Sequence, residues 1–538
     1  MLAGAVLSFM LLMGGTGIAD AQAHDGPRLG TVDFSISCSA PAQAEFNHAV
    51  ALLHHMTYPA ARQSFEQVAK IDPRCAMAHW GIAMTLFQPL WPTRPGPEDL
   101  RRGSEAVRTA RRLAPPTERE RRFVDAAAAF FRDPASTDYW ARVRRWGLGM
   151  AAVDSAFPQD PDAATLYALA LLAVAPSDTL SRGNSDRAAA LLLAVLERHP
   201  DHPGAMHYLV HANDAAGREH ESPDIIRKYE ATAPRNPHAL HMPTHIYTRL
   251  GDWDAAIRGN LLAAEAALAQ PAGDHGQFVW DEFPHAIEYL LYAYLQKGAD
   301  GEAATQLERL QQTARLQPSF KTAFHLASTR ARYVLERHAW REARTLAPRV
   351  PASLDWEHFP WPEAVTWFAR GLGAAHEGRT EDARVATDRL GALETAAGTA
   401  GETLFARHIH ILRLESQAWL AYASRDTGTS VTLMREAAEL ESSTPKPAVT
   451  PGPTIPGYEL LGDLLLDQAK PTEALAAYRQ SLDMYPRRFN SLLGAARAAR
   501  GSGDDSLARA FYRELLQLAG ESPRRAAIDE ARTYVSRR

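Results

Sequence analysis

Apolar residues recur along this chain at spacings of three and four, which is the period of an amphipathic helix. Near the C-terminus, large and small apolar residues follow one another in a fixed order: Tyr458, Leu461, Gly462, Leu465, Ala474 and Tyr478. The order then restarts, and Ala508 and Tyr512 follow Ala474 and Tyr478 by 34 residues. A repeat of this length predicts stacked pairs of antiparallel helices, because one pair cannot bury its apolar face alone.

The pattern resembles the tetratricopeptide repeat, a unit of two helices. Near the N-terminus its small, aromatic, small and proline positions are matched by Ala61, Phe65, Val68 and Pro73. Small residues let the two helices of a unit approach closely, and large residues fill the space between units. Because no alternating strand pattern is present, the predicted fold is an all-α tetratricopeptide superhelical solenoid with a concave groove.

The pattern divides the chain into four segments. Residues 1–23 are predicted to be a signal peptide, and residues 24–443 to form the main array with a His-lined groove. Residues 444–456 are rich in proline, which lacks an amide hydrogen and cannot continue a helix, so an extended connector is predicted there. Residues 457–538 are predicted to form a C-terminal pair of repeats and a capping helix.

The N-terminus resembles a secretory signal peptide, since an apolar stretch precedes the small-x-small triplet AQA at residues 21–23. The alternative is a buried first helix. We expect cleavage before His24 and a periplasmic or secreted protein. In such a compartment Cys38 and Cys75 are expected to form a disulfide, and the alternative is two buried free thiols.

Composition narrows the classes of function. The chain is 46% hydrophobic and 22% charged, with a formal net charge of −5, which is typical of a globular protein and offers no basic surface for nucleic acid. After residue 23 no stretch is long and apolar enough to predict a membrane span. The Gly-containing stretches at 147–152 and 371–373 follow no predicted strand, so no nucleotide cofactor is expected.

Histidines form a ladder with the period of the repeat. His207 and His211 lie four residues apart, as do His241 and His245, and the two pairs are separated by 34 residues. Residues four apart project from one face of a helix, and both pairs fall at positions that face the groove. Packed helices lie about 8–10 Å apart, so these four imidazoles are the predicted ligands of one metal ion, at about 2.0–2.1 Å.

Neighbouring groove positions carry further candidates. Three side chains are predicted to contact a bound ligand: His238, His285 and Trp80. Three others are the catalytic candidates if the protein is an enzyme: Asp214, Glu288 and Tyr292. A carboxylate at such a place can ligate a metal, orient a ligand or act as a general base, and a tyrosine can donate a hydrogen bond to a bound oxygen.

Mixed histidine and carboxylate ligands suit one divalent zinc, iron or copper ion, and the sequence does not choose among them. Two alternatives to a metal site stay open. The histidines can line a metal-free groove that binds a ligand through hydrogen bonds or senses pH, or they can serve packing alone.

Over most of its length the chain resembles a group of exported bacterial tetratricopeptide-repeat proteins whose function is unassigned. The shared stretches include HYLVHAND and HALHMPTHIYTRLGDW. These relatives often carry His at the position of Gln88 and Asp at that of Glu288. The resemblance implies a shared groove site, and it implies no particular reaction.

Two classes of function follow from the sequence. The first is a binding or scaffold module that takes a peptide or a small molecule in a His-rich, metal-containing groove, since most arrays of this kind are adaptors. The second is a metal-dependent hydrolase or oxidoreductase that uses the same groove. The binding module is the leading hypothesis. Peptide-binding grooves of this fold are usually lined by Lys, Asn and Arg, whereas this groove carries His and acids, so the enzyme hypothesis stays open as the alternative.

Overall fold

The computed structural model of the protein describes residues 28–91, 94–133, 138–173, 181–273, 275–520 and 525–536. The predicted signal peptide lies outside these residues. Nearly all regular secondary structure in the described residues is helical, which confirms the all-α prediction. A two-residue antiparallel hairpin, β1 (Pro271–Ala272) with β2 (Phe278–Val279), is an addition that the sequence pattern did not predict. None of the described helices is long and apolar enough to cross a membrane.

The helices form antiparallel pairs, each packed against the next in chain order. The helices before β1 are α1 (Ala40–His54), α2 (Tyr58–Ile71), α3 (Ala76–Thr85), α4 (Pro97–Arg112), α5 (Glu118–Phe131), α6 (Tyr139–Ala156), α7 (Pro161–Leu172), α8 (Ser181–Arg198), α9 (Pro203–Asn213), α10 (Pro223–Thr232), α11 (Pro237–His241), α12 (Pro243–Leu250) and α13 (Trp253–Leu268). The helices after β2 are α14 (Glu282–Gln296), α15 (Asp300–Gln312), α16 (Phe320–Leu335), α17 (Trp340–Arg344), α18 (Pro360–His376), α19 (Thr380–Thr399), α20 (Thr403–Ala423), α21 (Thr427–Ser442), α22 (Gly457–Asp467), α23 (Pro471–Met484), α24 (Phe489–Gly501), α25 (Asp505–Ala519) and α26 (Ala526–Ser536). A short 3₁₀ helix lies at Trp356–His358. This succession is the stacked-hairpin solenoid that the repeat predicts.

Close approach of paired helices explains the small residues of the repeat. Gly462 of α22 faces Tyr478 of α23, and a Cβ atom at Gly462 would lie 2.7 Å from the tyrosine ring. Gly81 of α3 lies against Phe65 of α2 in the same way, at 2.2 Å. Because Cβ atoms do not approach a ring so closely, glycine is what allows these helices to pack over a buried aromatic ring.

A disulfide ties the N-terminal segment to the first units. Cys38 and Cys75 are bonded, with their Cα atoms 5.4 Å apart. The ring of Phe34 lies 5.3 Å from that of Trp80, which is only 1% exposed. Trp80 therefore belongs to the hydrophobic core and does not line the groove as predicted, because the segment before α1 covers this face of α3.

Contacts between distant units narrow the concave face of the superhelix. His55, directly after α1, bonds the hydroxyl of Tyr229 in α10 at 2.9 Å. Towards the other end, the indole nitrogen of Trp253 in α13 donates to the carbonyl of Arg487, before α24, at 2.8 Å. The groove is therefore enclosed by contacts made by units near both ends of the array.

The Pro-rich segment 444–456 lies in this interior. Arg332 of α16 donates to the carbonyl oxygens of Gly452 and Pro453 at 2.6 and 2.7 Å. The hydroxyl of Tyr289 in α14 donates to the carbonyl of Thr450 at 3.0 Å. Residues 444–456 are non-helical, as their prolines predict, and they occupy the groove while α21 packs against α22.

A buried arginine joins the C-terminal repeats to the main array. Arg488, next to α24, is fully buried and donates to Glu459 at 2.9 and 3.0 Å. It also donates to Glu336 at 2.8 Å and to the hydroxyl of Tyr292 at 2.7 Å. Burial holds the pKa of Glu336 above its ordinary value despite the nearby guanidinium. Two buried carboxylates thus depend on one cation.

Arg488→Met is expected to lower the free energy of unfolding by about 3–5 kcal/mol, because it leaves two buried carboxylates without their cation. Urea denaturation followed by circular dichroism measures the loss. Arg435→Met is the control, since Arg435 pairs with Glu473 at the surface, where an ion pair contributes about 0–1 kcal/mol. Equal losses for the two variants would contradict this interpretation of Arg488.

Candidate metal centre

Four helices of the concave wall carry the predicted histidines. Helix α9 carries two, α11 two, α12 one and α14 one: His207, His211, His238, His241, His245 and His285. Pro243 interrupts the helix between α11 and α12 because it lacks an amide hydrogen. The repeat thus brings side chains from consecutive units to one place in the interior.

The histidines fall into two groups of three. The 207 triad consists of His207, His211 and His238, and the 241 triad of His241, His245 and His285. Within each triad the potential ligand atoms all lie within 4.8 Å of one another. This grouping differs from the prediction of four histidines around one ion, because His238 and His285, expected to contact a ligand, each complete a triad.

Hydrogen bonds fix the tautomers of the 241 triad. His241 Nδ1 donates to Asn260 Oδ1 at 2.7 Å, and His245 Nδ1 donates to Asp214 Oδ2 at 2.8 Å. A neutral imidazole carries one proton, so both Nε2 atoms carry lone pairs. These two Nε2 atoms lie 2.9 Å apart and face each other. Two lone pairs at this distance repel, and a cation between them removes the repulsion.

His285 completes the triad through a relay. Its Nδ1 donates to Nε2 of His325 at 3.0 Å, and Nδ1 of His325 donates to Glu288. Glu288 also accepts from Ser328 at 2.6 Å and from Arg332 at 3.0 Å. Burial alone would raise the pKa of Glu288, but His325 and Arg332 hold it below its ordinary value. Glu288 is therefore a carboxylate that orients His285 through His325, a common arrangement behind metal-bound histidine.

Asp214 has a similar orienting role. It follows α9 and accepts hydrogen bonds from His245, from Arg249 at 2.5 Å and from Lys446 at 3.2 Å. Burial alone would raise its pKa, but Lys446 and Arg249 hold the pKa well below the ordinary value. A carboxylate so strongly stabilised as the anion is a weak general base, so its geometry suits orientation of His245 better than proton transfer.

Burial keeps four histidines of the two triads in the form that binds metal. It lowers the pKa values of His207, His241, His245 and His285 below the ordinary value for histidine. Neighbouring histidines lower these pKa values further. The rings are consequently neutral at pH 7, and a neutral imidazole is the metal ligand.

Two connected cavities adjoin the triads. A cavity of about 30 Å³ is lined by His211 and His238 of one triad and by His245 and His285 of the other. A larger cavity of about 200 Å³ shares His211 with it and is lined by Arg94, Tyr139, Trp140, Asp214 and Lys446. A small molecule in the larger cavity therefore lies next to the histidines.

Comparison with protein families identifies the repeat. The tetratricopeptide repeat model matches residues 177–237 and 460–523. The chain therefore contains tetratricopeptide repeats in these two segments. The first match includes α9 with His207 and His211, so one triad is built largely on a recognised repeat.

Two solved structures align with most of this tetratricopeptide-repeat protein. The crystal structure of the APC/C hetero-tetramer Cut9-Hcn1 is 14% identical, with a TM-score of 0.27, over 93% of this chain and 97% of that one. The human IFIT1 dimer with m7Gppp-AAAA is 14% identical, with a TM-score of 0.36, over 91% and 92% of the two chains. At these scores neither similarity bears on function. No curated protein sequence matches the chain.

Tyr292 does not join the histidines of this tetratricopeptide-repeat protein. Its hydroxyl accepts from Arg488, and its ring packs against Trp253 with centroids 5.5 Å apart. Tyr289, one helical turn earlier in α14, takes the expected place, with its ring centroid 4.7 Å from that of His241. The insertion after α13 blurs the repeat register, which is why the sequence pointed to the wrong tyrosine.

Sequence reasoning also missed three orienting side chains: Asn260, His325 and Lys446. Asn260 lies on α13, the second helix of its unit, whereas the repeat pattern assigns groove-facing positions to the first helix. His325 lies 40 residues after His285, so it falls outside the period of 34. Lys446 comes from the Pro-rich segment, which no repeat pattern places in the groove.

The buried neutral histidines predict acid sensitivity of the metal-free protein. Unfolded histidine has a pKa of about 6.5, whereas burial holds these folded pKa values lower. Above about pH 6.5 both states are neutral, and as pH falls further only the unfolded state gains protons. Stability measured by urea denaturation is therefore expected to fall from pH 7 to pH 5.

The double variant His207→Gln/His241→Gln is expected to reduce that pH slope by about two protons, because two of the buried groups are gone. His275→Gln, in an exposed loop, is the control and is expected to leave the slope nearly unchanged. A slope equal to that of the wild type in the double variant would show that these rings are not buried neutral groups.

Proposed function

We propose that this tetratricopeptide-repeat protein binds a divalent transition-metal ion, zinc, iron or copper, through His241, His245 and His285. The observation that carries the proposal is the 2.9 Å separation between the two lone-pair-bearing Nε2 atoms of His241 and His245. Imidazole nitrogens bound to one ion at about 2.0–2.1 Å in adjacent positions lie about 3 Å apart. This separation supports the proposal that both nitrogens bind one ion, with His285 as the third ligand.

Three protein ligands leave at least one coordination position open. Structural zinc sites are closed by four protein ligands, whereas sites with three keep a position for water or substrate. The small cavity adjoins His245 and His285, so the open position of the ion faces that space. This arrangement favours an ion that binds a further molecule over an ion that only stabilises the fold.

The bound molecule is proposed to be a small molecule rather than an extended peptide. Residues 444–456 already occupy the groove where an extended peptide would lie. On the wall of the cavity of about 200 Å³, Arg94 pairs with Glu402, and Lys446 pairs with Asp214. The guanidinium of Arg94 also lies over the rings of Tyr139 and Trp140. A small polar molecule with an apolar part fits these walls best.

Metal-dependent catalysis, hydrolytic or oxidative, is the second candidate. It is favoured by the open coordination position beside a cavity that can hold a substrate. Asp214 and Glu288 already accept hydrogen bonds from histidines and cations, so in this hypothesis the ion activates water or substrate while the two carboxylates orient its ligands. The repeat scaffold itself fits a binding module as well.

Export from the cytoplasm is part of the proposal. The Cys38–Cys75 disulfide supports it, because disulfides persist chiefly in oxidising compartments.

The test is elemental analysis of the full-length protein, purified without a histidine tag and loaded with Zn²⁺ or Cu²⁺. His241→Gln/His245→Gln is expected to bind one equivalent less than the wild type. His376→Gln is the control, because His376 is a half-buried histidine that stacks on Trp340 outside both triads. If the folded double variant holds as much metal as the wild type, the proposed site is wrong.

A further inference from the structure

The 207 triad is a second cluster of potential ligands that the proposed function leaves unused. The Nε2 atoms of His207, His211 and His238 are all buried, and none has a hydrogen-bond partner among the described residues. Buried polar atoms are almost always paired, so three unpaired atoms in one cluster call for an explanation. One ring nitrogen of each histidine also lies within 4.8 Å of one ring nitrogen of both others.

The two fully buried rings of this triad have defined tautomers. His207 Nδ1 donates to the carbonyl of His54 at 2.5 Å, and His238 Nδ1 donates to Glu282 at 3.1 Å. In the neutral form of each ring, Nε2 consequently carries the lone pair. The ring of His207 also stacks on Tyr229 with an interplanar angle of 9°, which fixes its direction. We infer that the 207 triad binds a second transition-metal ion.

A third group of potential ligands shows why the tautomer matters. His54, His202 and Asp162 also offer atoms within 4.8 Å of one another. His202 Nδ1, however, accepts from the backbone N–H of Ala205 at 3.2 Å and so caps α9. The proton of neutral His202 must then lie on Nε2, 3.5 Å from Asp162. This nitrogen has no lone pair to offer, so the third group is not a metal site.

The two triads face one cavity. The ring centroids of His211 and His245, which belong to different triads, lie 6.4 Å apart. Those of His211 and His238, within one triad, lie 6.3 Å apart. Ions bound to the two triads are therefore close neighbours, and one small ligand in the cavity of about 30 Å³ contacts both.

The surrounding charges indicate the chemistry of that ligand. An imidazole that binds a metal does so as a neutral ring, so the six side chains bring no negative charge to the ions. The buried carboxylates and cations around the triads carry equal total charge of opposite sign. Four carboxylates, Asp214, Asp281, Glu282 and Glu288, pair with four cations, Arg249, Lys321, Arg332 and Lys446. The charge of two buried ions is thus left to an anionic oxygen ligand, such as hydroxide, in the shared cavity. Six imidazoles suit copper or zinc better than magnesium, calcium or manganese.

The test uses the full-length protein without a histidine tag, loaded with Cu²⁺ or Zn²⁺ and freed of excess metal. Elemental analysis is expected to give two equivalents for the wild type and one for His211→Gln and for His238→Gln. His202→Asn keeps an acceptor at the helix cap and serves as the matched control, with two equivalents expected. Circular dichroism of each variant reports whether it is folded.

Electron paramagnetic resonance of the Cu²⁺ form gives an independent readout. Two neighbouring ions that share a ligand couple their spins, so the wild type is expected to show less signal per copper than the single-triad variants. Full signal from two equivalents in the wild type would overturn the shared ligand.

Variants of the two triads separate this inference from the proposed function. His285→Gln is expected to keep one ion, at the 207 triad. A single wild-type ion that His211→Gln keeps and His285→Gln loses would overturn the second site and leave the proposed function standing. A single ion with the opposite behaviour would assign metal binding to the 207 triad and overturn the proposed function instead.

Discussion

Two nitrogen lone pairs face each other across 2.9 Å in the interior of the superhelix, on Nε2 of His241 and His245. Their direction is set by Asn260 and Asp214, which accept the Nδ1 hydrogens and leave the opposite nitrogens bare. In a medium of low dielectric constant such a pair is unfavourable unless a cation joins it. In the proposed site a bound ion replaces this repulsion with two coordinate bonds. Asn260 and Asp214 then hold the two ligands of that ion in place.

The repeat scaffold supplies what this site needs. Stacked units place imidazoles from consecutive helices on one wall, and contacts between distant units remove that wall from water. Arg332 has two tasks, since it holds Glu288 behind the 241 triad and the carbonyl oxygens of the Pro-rich segment over the groove. Arg488 fastens the C-terminal repeats to the main array. A buried polar interior of this kind costs stability, and the neighbouring apolar core of the solenoid compensates for it.

The period of 34 residues is sufficient to predict the all-α solenoid and to place four histidines on one wall: His207, His211, His241 and His245. It does not predict how they group. That depends on His238 and His285, whose distances to the ladder follow from packing between units rather than from the period. His325 and the Pro-rich segment lie outside the regular repeat, and Phe34 covers Trp80 from a segment that belongs to no unit. The location of residues at regular repeat positions can therefore be predicted from sequence, whereas that of insertions and of contacts between distant units cannot.

The measurement that bears most directly on the central claim is X-ray absorption spectroscopy at the metal edge of the reconstituted protein. Three histidines per ion predict scattering from three imidazole rings, with nitrogen atoms at about 2.0–2.1 Å, and one or more lighter ligands in the remaining positions. Four imidazole rings on each ion, or a shell made chiefly of carboxylate oxygens, would contradict the assignment of the two triads.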